Sequence, residues 1–170
     1  MKFAKDWIIP IICAIILATL INKFLIFKVE VPTGSMEPTV MPGDEIFVTR
    51  IYKPENIKRG EIVVFKKAGE KELLLKRVIG LPGDTVEIKD GGKVYINGKL
   101  LNEPYVKYSD PLGGTYHVPA GEYFMLGDNR ADSKDSRYWK DPYIPGDNMV
   151  AKTWLRVYPF NRFGFLKDNE

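Results

Sequence analysis

A mainly β domain of antiparallel strands behind one N-terminal apolar helix is the fold class the sequence predicts, and three observations carry it. Residues 7–27 form a mostly apolar run, interrupted only by Thr19 and the late pair Asn22-Lys23. Many of the 12 prolines and 15 glycines stand in Pro-Gly, Gly-Asp and Asn-Gly pairs, which punctuate a turn-rich chain. Between those turns lie short segments with strand-like alternation. The 170 residues suit one domain plus an appendage. A formal charge of +3 gives nucleic-acid binding no support. Cys13 is the one cysteine, which excludes an intrachain disulfide and a cysteine metal cluster.

The chain divides into a short head, 1–6, an apolar segment, 7–27, and a domain, 28–170. As a helix, 21 residues would span about 31 Å, enough for a hydrocarbon core of about 30 Å. Trp7 at one end, with Lys23 and Lys28 at the other, suits interfacial anchoring. A cleaved secretory signal is the rival, but Asn22-Lys23-Phe24-Leu25 offers no small-x-small site, so a retained anchor is favoured. Two lysines flank each side, and charge counting leaves the orientation open.

Residues 29–31 read as extended, and Pro32 to Thr39 follow as an irregular corner. Gly34 permits a sharp turn just before Ser35, and Pro38 stops a helix from growing through it. That is where a nucleophilic hydroxyl would stand, although an ordinary serine-bearing turn looks the same. Ser35 lies eight residues past Phe27, so even an extended tether reaches only about 26–29 Å.

From Met41 onward the chain reads as β structure, with strands over 45–51, 61–66 and 73–79. Strands over 85–89 and 93–96 pair across Asp90-Gly91-Gly92, and Asn97-Gly98 makes a second tight turn. Residues 100–114 form a polar excursion read as surface loop. Short strands follow over 116–118 and 122–126, and a longer one over 149–158.

In the third strand, Leu74, Lys76 and Val78 share one face, and Leu75, Arg77 and Ile79 the other. A lysine on an apolar face is costly while charged, so burial favours the neutral amine. Lowering its pKa from about 10.4 to about 8 corresponds to roughly 3 kcal/mol. A neutral amine near pH 8 is a usable general base. The plainer alternative is a sheet-edge lysine that snorkels to water.

Residues 127–137, GDNRADSKDSR, are the densest polar constellation. They lack the glycine and terminal glutamate of a calcium-binding EF-hand loop, and no metal is expected. Arginine forks against carboxylates can pin such a loop; a solvated surface loop has the same composition. Arg77 needs a partner if its face is covered, and this loop can supply one. His117, the single histidine, sits in a short strand with nothing catalytic nearby, so a Ser-His-Asp triad has no support. Serine chemistry here must use another base, and Lys76 is the leading candidate.

Four ordered blocks now support a resemblance: SMEPT at 35–39, GDEIFV at 43–48, KRVIGLPGD at 76–84 and GDNRADSKDSR at 127–137. Behind an apolar anchor, they resemble bacterial type I signal peptidase, in its small single-anchor form. The likeness covers residues 7–160. It implies an antiparallel-sheet catalytic domain on the outer membrane face, with residues 1–6 in the cytoplasm. It implies a Ser–Lys dyad, with Ser35 as nucleophile and Lys76 as general base, and no cofactor. Ser133 matches the serine that orients the lysine. Thr33 matches the second oxyanion donor, where the best-known pattern has serine. Arg77, Asp128, Arg130, Asp135 and Arg137 match residues that hold the site. Substrates would be secretory preproteins cut after Ala-x-Ala-type sites, beside the lipid bilayer and in the neighbourhood of the export translocon. A Ser–Lys peptidase with another substrate, or a non-enzymatic anchored β module, are the alternatives.

Overall fold

The structure is a computed structural model that describes residues 4–166; residues 1–3 of the expected head and 167–170 of the expected domain lie outside the described residues. The apolar run forms a π-helical turn, Ala4–Ile8, and then helix α1, Ile9–Phe24. Over Lys5–Phe24 the mean hydropathy is 2.1, and none of this helix is buried against the domain. The helix stops three residues short of the expected end at Phe27. Ile26 and Phe27 are instead the start of strand β1, Ile26–Glu30.

Among the described residues eleven more strands follow, and every pairing between strands is antiparallel. They are β2 (Glu45–Arg50), β3 (Ile62–Phe65), β4 (Leu74–Gly80), β5 (Thr85–Lys89), β6 (Lys93–Ile96) and β7 (Lys99–Leu100). Then come β8 (Gly114–His117), β9 (Glu122–Leu126), β10 (Tyr143–Pro145), β11 (Met149–Tyr158) and β12 (Gly164–Phe165). The larger sheet runs β1-β2-β11-β3-β4-β9-β10, with β12 beside β11, and the smaller runs β7-β6-β5-β8. The fold class is therefore mainly β, with one apolar N-terminal helix.

Turn chemistry agrees with the sequence. Asn97 and Gly98 have φ of 51° and 79°, the left-handed pair that a tight hairpin between β6 and β7 requires. Strands β5 and β6 pair from Val86↔Ile96 to Lys89↔Lys93. The short strands β10 and β12 were not anticipated; two or three residues carry too little alternation to be read.

Three apolar clusters fill the interior. One gathers Val31, Met36, Val40, Ile46, Val48 and Val64 under the Ser35 corner. A second, with Val63, Phe65, Val78 and Met125, lies around β3, β4 and β9. The third joins the two sheets through Ile79, Val86, Val118 and Phe124. Gly80 lies in close contact at this seam. A Cβ there would stand 2.8 Å from Val118 Cγ2, 2.8 Å from Val86 Cγ2 and 2.9 Å from Phe124 Cβ. Overpacking such a contact costs about 1–3 kcal/mol. Gly80→Ala is therefore expected to lower the unfolding free energy by that amount, measured by urea denaturation; an unchanged midpoint would show that the seam is loosely packed.

Candidate active site

Lys76 sits in the middle of β4, opposite Val63 of β3, and is only 4% exposed. Its position between two paired strands fixes where the amine stands. Burial pulls its pKa from 10.5 down to about 8; the fields of Asp135 and Asp128 act in the opposite direction, and Arg137 adds to the lowering. The Nζ donates to Ser35 Oγ at 2.5 Å across 41 residues of sequence. The strand alternation thus brings the lysine inward, and the corner before β2 brings the hydroxyl to it.

Ser35 is held by its neighbours. Met36 and Val40, next to it in the chain, are buried in the first cluster. Glu37 N–H bonds Gly34 O at 3.0 Å, and Val40 N–H bonds Met36 O at 2.9 Å, which closes the corner. On the far side, Asn129 N–H bonds Ser35 O at 3.1 Å, and Asn129 Nδ2 bonds Gly34 O at 3.2 Å. Gly127 makes this approach possible, because a Cβ there would collide with Ser35 O and Ser133 Oγ. Thr33 Oγ1 lies 3.5 Å from Ser35 Oγ, on the rim of the same corner. The Ser133 hydroxyl is buried and makes no hydrogen bond among the described residues, with Lys76 or otherwise.

The polar loop 127–137 is packed rather than solvated. Arg77 donates Nε to Asp128 Oδ1 at 2.9 Å and Nη2 to Oδ2 at 2.7 Å, with neither side chain exposed. Its Nη1 bonds Gly60 O at 2.6 Å, and its guanidinium stacks 4.0 Å from the Tyr105 ring. Thr39 Oγ1 gives Asp128 a further bond at 2.5 Å. Asp135 accepts from Arg137 at 2.8 and 2.9 Å and from Gly127 N–H at 3.0 Å. Arg130 pairs with Glu103 at 2.5 Å, and Arg137 with Asp110 at 3.0 Å. Asn129, Glu103, Asp110 and Tyr105 were not singled out from the sequence. The last three come from the excursion read as surface loop, and no signal in the sequence paired them with the arginines.

Two clefts meet at the dyad. One, of about 300 Å³, is lined mainly by Val29, Val31, Met36, Val64, Leu73 and Leu75. The other, of about 400 Å³, is lined by Glu70, Asp132, Lys134 and Trp139. Both include Thr33, Ser35, Leu74 and Lys76. His117 borders neither; it is exposed in the smaller sheet, with Nδ1 3.2 Å from Thr85 Oγ1. A hydroxyl against a buried amine whose pKa is lowered to about 8, with a groove on each side, can perform acyl transfer on an extended chain.

That chemistry is of the hydrolase class, and comparison with known proteins narrows it. The family model for signal peptidase, peptidase S26, matches residues 4–158. A Staphylococcus aureus protein named signal peptidase IB is 36% identical over 184 residues, covering 96% of this chain and 94% of that one. A Synechocystis relative, described as "Probable signal peptidase I-2", is 37% identical over 166 residues, covering 93% and 75%. The crystal structure of a signal peptidase I from Enterococcus faecalis aligns with a TM-score of 0.51 and 32% identity, over 57% of this chain and 96% of that one. The chain belongs to the signal peptidase family, peptidase S26, and is a serine peptidase of the signal peptidase I type that acts on preproteins bearing signal peptides.

Two predictions follow from the charges. Breaking a buried pair by removing one member typically costs about 3–5 kcal/mol. Asp128→Ala should lose that much stability in chemical denaturation, and the double change Arg77→Met/Asp128→Leu should lose less. For Lys76, the folded pKa of about 8 lies below the unfolded 10.5, so the unfolded chain binds more protons between those values. The buried ammonium then opposes folding fully below pH 8, and the opposition fades as pH rises through 10.5. Lys76→Met should therefore raise the unfolding free energy at pH 7 by up to about 3 kcal/mol. That gain should shrink in denaturation curves taken at rising pH.

Proposed function

We propose that this peptidase cleaves signal peptides with Ser35 as nucleophile and Lys76 as its general base. The observation that carries the reading is the 2.5 Å contact between Lys76 Nζ and Ser35 Oγ, made by an amine whose pKa is brought to about 8. The neutral amine takes the Ser35 proton as Oγ attacks the scissile carbonyl. The oxyanion forms against the Ser35 N–H, with Thr33 Oγ1 on the same rim as second donor. Losing one such donor typically costs about 10²–10³-fold in rate. The lysine ammonium then protonates the leaving amine, and the regenerated amine activates water to hydrolyse the acyl-enzyme. Ser133, buried beside Gly127 with its hydroxyl unengaged among the described residues, is the group to hold the Lys76 amine between these steps.

The apolar cleft of about 300 Å³ beside the dyad is the seat for the side chains before the cut, and the family resemblance favours Ala-x-Ala-type sites. The helix of Lys5–Phe24 is long and apolar enough to serve as a membrane anchor; the orientation proposed, N-terminus in the cytoplasm and domain on the outer face, rests on the resemblance to type I signal peptidases. There the enzyme works beside the lipid bilayer, near the export translocon that delivers its substrates. Tethering both partners to one bilayer raises their effective concentration without new contacts.

Ser35→Ala and Lys76→Ala should each abolish cleavage of a preprotein followed by gel electrophoresis, while His117→Ala stays at the wild-type rate. In the wild type, kcat/KM should climb with pH and level off above about 8, as the lysine loses its proton. An inactive but folded His117 variant would overturn the dyad.

A further inference from the structure

Helix and β domain are joined with no linker: α1 ends at Phe24, β1 begins at Ile26, and Leu25 alone stands between. The last carbonyls of a helix have no intrahelical partners. Here three consecutive ones are met from a single strand end. Arg50 Nε donates to Lys23 O at 2.8 Å, the Tyr52 hydroxyl donates to Phe24 O, and Arg50 N–H donates to Leu25 O at 2.9 Å. The Arg50 guanidinium also lies 4.6 Å from the Phe27 ring centroid. Water could satisfy these carbonyls at an exposed helix end, so satisfaction alone does not call for such side chains. What they add is a fixed angle. Arg50 closes β2, which is paired to β1 from Ile26↔Thr49 to Glu30↔Glu45 and to β11 on its other edge. Helix, β1 and β2 are thus tied into one body, and Ser35 follows five residues after Glu30.

We propose that Arg50 and Tyr52 are positioning residues: they clamp the helix end to the sheet, fix the height of the cleft above the bilayer, and so select which bond of an embedded preprotein reaches Ser35. This rests on the membrane-anchored reading above. A preprotein whose apolar segment lies in the same bilayer presents its cleavage site at a set distance from the lipid. A rigid enzyme converts that distance into register, whereas a hinged one samples several heights. A misplacement of about 1 Å can cost about 10²-fold in rate. A free peptide diffuses to the cleft from any side and is indifferent to its height.

The test uses the full chain in phosphatidylethanolamine–phosphatidylglycerol vesicles and two substrates: a soluble Ala-x-Ala peptide, and a preprotein inserted in the same vesicles. For Arg50→Ala, Tyr52→Phe and the double variant, kcat/KM on the peptide should stay within about twofold of wild type, and on the preprotein fall about tenfold or more. Mass spectrometry of the released protein should show cuts spread to neighbouring bonds. Arg50→Lys, which keeps a donor, should recover part of the loss. The readout is the ratio of the two rates, so a variant that folds poorly lowers both and does not imitate the result. An unchanged ratio and a single cut site in all three variants would overturn the clamp. Failure of the wild type to cut either substrate would instead overturn the proposed function.

Discussion

Two cations stand side by side on one strand, and everything at the site depends on their being treated oppositely. Arg77 faces a carboxylate that grips it at two points, so it remains charged with no exposure. Lys76, its neighbour, faces the Ser35 hydroxyl and no carboxylate within bonding range among the described contacts. Burial is then the largest influence on the amine. The nearby acids make no hydrogen bond to the amine, because their oxygens are already committed. Asp128 is taken by Arg77 and Thr39, and Asp135 by Arg137 and the Gly127 N–H. Their fields still raise the lysine pKa, but burial outweighs them. The arginines therefore do two things: they hold the loop, and they leave the lysine without a partner that would keep it protonated.

This balance explains why the loop is so heavily charged for a segment so well buried. A carboxylate stripped of its arginine would be a costly buried anion, and its cheapest new partner would be the lysine ammonium. Arg130 and Arg137 reach outward in turn, to Glu103 and Asp110. The network thus ends at the edge of the domain, where Asp110 is partly exposed. Charge is neutralised step by step from the surface inward, while Lys76, whose proton must move, makes no ion pair among the described residues.

The legible part of this structure is the part written in local pattern. Alternation in 73–79 placed Lys76 and Arg77 on opposite faces, and Asn97-Gly98 named its own turn. The end of the helix was not legible, because Ile26 and Phe27 are as apolar as the residues before them; only pairing with Val48 and Thr49 makes them strand. The partners of Arg130 and Arg137 were hidden for a related reason. Glu103 and Asp110 lie in a stretch whose Pro, Tyr and Gly content reads as surface, and ion pairing across 27 residues leaves no periodic trace. Asn129 stood inside a recognised block, yet its role is to bond two backbone carbonyls, Gly34 O and Ser35 O, and composition does not reveal such a task.

Nucleophile and base are held by different parts of the molecule. The base belongs to the middle of a sheet, where strand pairing on both sides fixes it. The nucleophile belongs to an irregular segment between β1 and β2, which has no ladder of its own. Its stiffness has to come from outside, and it arrives from both directions. Arg156 bonds Thr39 O at 2.9 Å, and Arg162 bonds Pro38 O at 3.2 Å while pairing with Asp44 at 3.1 Å. From the opposite side come Asn129 on Ser35 and the Thr39–Asp128 bond. Residues from β11 and the turn after it, and from the polar loop, therefore meet across the corner that carries Ser35. Only when both are in place does a hydroxyl on a loop keep a 2.5 Å appointment with an amine on a strand. A near-attack geometry of this kind is lost with small displacements, so the long-range bonds to the corner are as much a part of the chemistry as the lowered pKa.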